Sequence, residues 1–228
     1  MKLNGTSLNT QHKAFSNSDE LGDNHVATSL ETPMREDAFD LTNEEKINQI
    51  EKHFHEIMQI MGLNMEDESL SGTPRRVAKM YINELFSGLD PEHKPPATLF
   101  TNHYDYSQML VEKNITFYST CEHHFVPIFG KAHVAYISSG KVIGLSKLNR
   151  IVQYYSRRPQ VQERLTEQIA AELKEVLNTE DVAVIMDATH MCVASRGVRD
   201  THSSTVTASY YGKFKDPKVR EELLHYIK

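Results

Sequence analysis

What most restricts the fold of this chain is a change of apolar period along it. From Ile47 to Leu85 apolar residues recur at three and four positions, and after the proline-bearing linker PEHKPPA (residues 91–97) they alternate as strands do. Alternating runs cover Ile115–Ser119, Ala132–Ile137 and, beyond a Ser-Ser-Gly turn, Val142–Leu145. Two helical stretches follow, Lys147–Arg157 and Val161–Leu177. A strand pair, Val182–Ser195 and Ser204–Tyr210, then leads into a short polar helix near Lys218. Two antiparallel hairpins around a helical pair predict an α+β domain.

Upstream, Thr42–Glu45 (TNEE) reads as a capping box that opens a helix ended by Gly62. Thr73-Pro74 reads as the N-cap and first position of a second helix, running through Val77, Met80 and Leu85 to Gly88. Residues 1–40, rich in Asn, Ser, Thr, Asp and Gly without an apolar period, predict a disordered tail. The chain is thus expected to divide into an acidic tail (1–40), an N-terminal helical region (41–90) and a main domain (91–228).

Charge narrows the partners. The tail carries three Lys/Arg against seven Asp/Glu, which is −4 of the total −6. Between Lys141 and Glu163 the sign reverses, with Lys141, Lys147, Arg150, Arg157 and Arg158 against Glu163 as the single acid. That excess suits a small anionic ligand, and without an extended basic stripe interleaved with aromatics the chain predicts no nucleic-acid partner. No apolar run approaches the roughly eighteen residues of a membrane span, and MKLNGTSLNTQHK lacks the apolar segment of an export signal. The expected setting is the cytoplasm, where two cysteines predict reduced thiols or metal ligands rather than a disulfide framework.

Those cysteines lie in the chain's two most chemical stretches, STCEHHFV (Ser119–Val126) and THMCVASR (Thr189–Arg196). Cys121 and His124 are spaced to converge on one ion from a turn, and Cys192 sits in a predicted strand whose parity it shares with His190 and Arg196. Cys121, His124 and Cys192 make a borderline-soft, three-ligand set for Zn²⁺ with a fourth position open, the pattern of catalytic zinc. His123, His190 and His202 are also available, so on counting alone a four-ligand structural site is a second reading. Two thiolates and one imidazole neutralise the ion, leaving its water less acidic than under three histidines, so His123 and His190 are candidate general acids or bases.

GLSKLNR (Gly144–Arg150) places Ser146 as an N-cap with the cations Lys147 and Arg150 after it, the wrong sign for a helix start unless a phosphate sits there. The alternative is that both extend into water. Glu163, off the apolar stripe of its helix, reads alone as a solvated residue; buried, it would suit the paired N–H donors of guanine.

With these residues assembled, the sequence resembles the GTP cyclohydrolase I family from about Leu41 to Phe214, most specifically in STCEHH, GLSKLNRIVQYYSRRPQVQERLTEQIA and HMCVASRGVRDTHSSTVT. The resemblance implies a tunnelling (T-fold) α+β subunit assembled as a toroidal homodecamer, one Zn²⁺ per subunit held by Cys121, His124 and Cys192, and GTP as substrate. It implies catalytic roles for His123, His190 and Ser146. Glu163 with Gln162 beside it would bind guanine, and Lys147, Arg150 and Arg196 the triphosphate. Arg76, otherwise an ordinary helix-surface residue, would reach the phosphates across a subunit boundary. The implied reaction adds water to C8 of guanine with help from His190, releases C8 as formate, opens the ribose and closes a new ring to give 7,8-dihydroneopterin triphosphate. The tail, Glu122, His202 and any regulatory partner receive no assignment from it.

Overall fold

A computed structural model describes residues 29–228; residues 1–28, which make up most of the expected tail, lie outside the described residues. Helix α1, Asn43–Ile60, opens on the anticipated capping box. Thr42 Oγ1 accepts from the Glu45 N–H, and the Thr42 N–H donates back to the Glu45 carboxylate at 2.8 Å. Gly62, at φ +83°, closes it. Its N–H reaches Gln59 O and that of Leu63 reaches Met58 O, the two bonds that satisfy a helix's last carbonyls around a left-handed residue. Helix α2, Thr73–Met80, begins one residue earlier than expected, on Gly72, and passes into a π-helical turn, Tyr81–Leu85. Arg75 ties α2 to Glu44 and Glu51 of α1.

The main domain holds a five-stranded sheet in the order β5-β2-β3-β6-β7, with β2 Met109–Cys121, β3 Pro127–Ile137, β5 Pro159–Gln160, β6 Val182–His190 and β7 Thr205–Tyr210. All pairs are antiparallel except β5 with β2. Helices α3, Leu145–Ser156, and α4, Gln162–Leu177, cover one face. Alternation decides which residues meet them. Val182, Val184 and Met186 of β6 join Phe117, Leu148, Leu165 and Ile169 in the main core, whereas Ala183 and Ile185 turn to the opposite face, under Phe214 and Leu223 of the C-terminal segment. Helix α4 alone sinks Leu165, Ile169, Leu173 and Leu177 to 1% exposure or less, at about 1.5–3 kcal/mol for each such side chain.

Three expectations are corrected. The strand expected after the Ser-Ser-Gly turn exists as β4, Lys141–Ile143, but pairs with β1, Leu99–Thr101, because both edges of β3 are already taken by β2 and β6. The strand expected to run to Ser195 stops at His190, and Met191–Ala194 form a helical turn, α5, so strand parity does not extend to Cys192 or Arg196. Ser146 is not an N-cap: Gly144 is, with Leu145 the first helical residue. The last helix, α6, spans Pro217–Ile227.

Candidate active site

The site forms where β2 ends and β3 begins. Cys121 donates its N–H to Val126 O at 2.8 Å, and Phe125, at φ +54°, folds back to Cys121 O at 2.9 Å. Glu122 N–H bonds Gln160 O of β5 at 3.0 Å, so the turn's backbone is held from both sides. It presents Cys121 Sγ and His124 Nδ1 3.6 Å apart. Across the sheet, Ile128 registers with His190, and α5 then swings Cys192 over the same spot. The ligand atoms of Cys121, His124 and Cys192 all lie within 4.8 Å of one another.

This set fits zinc. Bond lengths of about 2.3 Å to sulfur and 2.0–2.1 Å to nitrogen in a tetrahedron place S and N about 3.6 Å apart, the separation seen between Cys121 and His124. Burial and the neighbouring Cys121 thiol push Cys192 up to about 11, while Arg196 pulls the other way.

The same turn carries His123, whose Nδ1 is 4.0 Å from Cys121 Sγ. His190 is fixed by Gln162, the first residue of α4. The Gln162 side-chain Nε2 donates to Thr205 O at 2.8 Å and Met186 O at 3.2 Å, so its Oε1 must face His190 Nε2, 2.7 Å away. An amide oxygen only accepts, so His190 carries its proton on Nε2 and keeps Nδ1 as its basic nitrogen. Burial holds His190 below the usual histidine range, against the smaller opposing pull of Glu163. A cavity of about 470 Å³ joins Cys121, His123, His124, Gln162, Glu163, His190 and Cys192, with Glu163 exposed within it.

The profile of the GTP cyclohydrolase I family matches residues 50–228. A GTP cyclohydrolase 1 of Flavobacterium johnsoniae is 60% identical over 210 residues, covering 92% of this chain and 94% of its own. That of Vibrio parahaemolyticus is 53% identical over 197 residues, 86% and 90% of the two chains. The chain belongs to the GTP cyclohydrolase I family. Among solved structures, the apo form of the archaeosine synthase QueF-like protein covers 46% of this chain and 94% of its own at 17% identity and TM-score 0.39, too slight a likeness to carry an argument.

For a GTP cyclohydrolase I family member, one half of the anticipated site is assembled within the chain and the other is not. Ser146, Lys147, Arg150, Arg196 and Arg76 do not line this cavity. Ser146 and Arg150 are exposed on α3, and Arg150 borders a separate cavity of about 530 Å³ with Lys94 and Arg157. Arg76 folds onto its own segment, donating to Ser69 O and Thr73 Oγ1. His202 is exposed, its backbone N–H held by Asp200, and it is not among the grouped ligands. Sequence reasoning left Glu122 unassigned and passed over Arg164, which it engages through two nitrogens. The available signal was the one acid inside CEHH and the one base in the opening turn of α4.

Proposed function

We propose that the chain is a zinc-dependent GTP cyclohydrolase I, a hydrolase that converts GTP and water to 7,8-dihydroneopterin triphosphate and formate at the head of tetrahydrofolate and pterin synthesis. The observation that carries this reading is the convergence of Cys121, His124 and Cys192 in one cavity with an oriented His190 and with Glu163. Three protein ligands leave a tetrahedral ion one open position. Zinc bound there supplies the Lewis acidity that makes a water nucleophilic near neutral pH.

The chain's own residues do the rest. The carboxylate of Glu163 accepts the guanine N1–H and 2-amino protons and sets C8 toward the ligand cluster. His190, held through Nε2, uses Nδ1 to take and return the proton as water adds to C8. His123, on the ligand turn, and Ser146 serve proton transfer in ribose opening. Lys147, Arg150, Arg196 and Arg76 hold the triphosphate, and because these four and Ser146 lie off the cavity of a single chain we assign their approach to assembly, extending to all five what the resemblance implies for Arg76. The free thiols of Cys121 and Cys192 support a cytoplasmic setting. No helix of the described residues is long and apolar enough to cross a membrane. Residues 91–228 form the catalytic domain in this reading, with 41–90 its helical region and 1–40 a tail.

The test is turnover. Zinc-loaded protein given GTP should release formate and yield a product that fluoresces as neopterin after oxidation, with its mass identifying the ring-closed triphosphate. GTP binding without formate would refute the reading in favour of a nucleotide-binding module. Formate with a ring-opened mass would show a reaction that stops early.

A further inference from the structure

Glu122 has no part in that reaction, yet it lies between a metal ligand and a proton-transfer residue and is gripped at both ends. Its carboxylate takes two arms of the Arg164 guanidinium, Nη1 in a short contact with Oε2 and Nη2 3.4 Å from Oε1. The third nitrogen, Nε, donates to Ser29 O at 3.0 Å, so every guanidinium nitrogen is engaged. Arg164 is 4% exposed. Glu122 Oε1 also stands 3.7 Å from His123 Nε2, and the Glu122 N–H is spent on Gln160 O.

A buried ion pair is an inefficient stabiliser, because desolvating both charges offsets their attraction and an apolar pair of equal volume does as well. What a two-armed guanidinium–carboxylate contact supplies is direction: it fixes separation and angle together. Here it joins the turn bearing Cys121, His123 and His124 to the first turn of α4, which bears Gln162 and Glu163 immediately before Arg164. We infer that Glu122 and Arg164 are positioning residues: their ion pair sets the ligand turn at a fixed distance from the helix start that orients His190 and binds the substrate base. The inference rests on the zinc-dependent cyclohydrolase reading of the same cavity.

The test uses the full chain with E122A, E122Q, R164A and R164K, measuring zinc affinity against a chromophoric chelator, GTP kinetics per bound zinc, and the thermal midpoint. E122A and R164A should weaken zinc about 10–100-fold, the range for removing a partner that orients a metal ligand. At saturating zinc, kcat should fall with KM for GTP within about threefold, because the base is still held while the reacting centre is misplaced. R164K keeps the charge without the fork and should recover part of the loss, as should E122Q, which keeps the shape without the charge. Lowered thermal midpoints with zinc affinity and kcat per bound zinc unchanged would overturn the inference. If the alanine variants do not fold, wild-type zinc affinity and kcat in both R164K and E122Q overturn it. A wild-type chain that binds no zinc removes the reading and the inference together, whereas a fully active wild type beside indifferent variants removes the inference alone.

Discussion

Replacing Gln162 by Leu separates the orientation of His190 from the Cys121, His124 and Cys192 cluster. Gln162 is 2% exposed, and its amide serves His190 Nε2, Thr205 O, Met186 O and Thr207 Oγ1. Leucine fills nearly the same volume and satisfies none of them. Four groups losing a partner at about 1 kcal/mol each cost roughly 4 kcal/mol of stability. The second effect is chemical: in the acid–base role proposed for His190, an imidazole free to rotate or to move its proton to Nδ1 loses a contribution of about 10²–10⁴-fold in kcat. Each tenfold is about 1.4 kcal/mol of barrier, so the chemical loss of about 3–5 kcal/mol is comparable to the folding loss. Steady-state kinetics on protein of verified zinc content should show that fall. Nitrogen NMR of wild type should show the proton of His190 on Nε2, and in the variant a mixture. A kcat within threefold of wild type at full zinc occupancy would refute the argument, as would a wild-type His190 protonated on Nδ1.

Further outcomes follow from the same contacts. With its proton held to about 11 by burial and by Cys121, Cys192 is a thiol in the metal-free protein at neutral pH, so zinc loading should release protons and apparent affinity should rise between pH 6 and 8; a pH indicator during loading checks this, and uptake without proton release contradicts it. Burial lowers His133 in the folded state, against the pull of Asp187, so its contribution to stability is intact above about pH 6.5 and is lost as pH falls through the folded value. The thermal midpoint of His133→Asn should therefore drop less than that of wild type between pH 8 and 5, and parallel pH profiles would contradict the assignment. A Cβ on Gly130 would stand 2.0 Å from Asp187 O and 2.6 Å from Ala188 Cα, backbone of the adjoining β6 that has nowhere to go. Gly130→Ala should cost about 3 kcal/mol or more, read as a lower thermal midpoint or loss of soluble protein.

The elements best legible in the sequence are those specified by neighbours in the chain. The Thr42–Glu45 capping box and the Gly62 stop need only local chemistry, and both appear where the residues place them. Alternation marks only the second half of β2, because its first half runs through MLVEKN, whose charged pair hides the pattern. The structure absorbs Lys113 and Asn114 in a register shift between Glu112 and Ile115, with Asn114 at φ +61°. The partner of β4 was illegible for a different reason. β1 lies about forty residues before it and each strand is three residues long, so nothing local encodes their meeting. Cys192 reaches Cys121 and His124 although the strand parity that places it in the sequence fails one residue earlier, since α5 supplies by a turn what the strand would have supplied by alternation. Arg196, placed by the same parity, does not line the cavity.

The site's supporting contacts were hidden by a misleading composition. The opening of α4, QERLTEQ, looks like a solvated helix start, yet Gln162, Arg164, Thr166 and Gln168 are all under 5% exposed. Burial of four polar side chains is tolerable only if each is bonded, and each is: Gln162 to His190, Arg164 to Glu122, Thr166 to Thr207, and Gln168 to Gln160 and Leu30 O. An apolar interface could slide by a fraction of an ångström at little cost, because dispersion is non-directional. Four directional contacts cannot all be kept if the helix shifts or rotates. The first two turns of α4 are therefore fixed in angle against β6, β7 and the Cys121–His124 turn together, which is the rigidity the proposed function asks of a helix whose Glu163 would hold a base at a set distance from that turn and from Cys192.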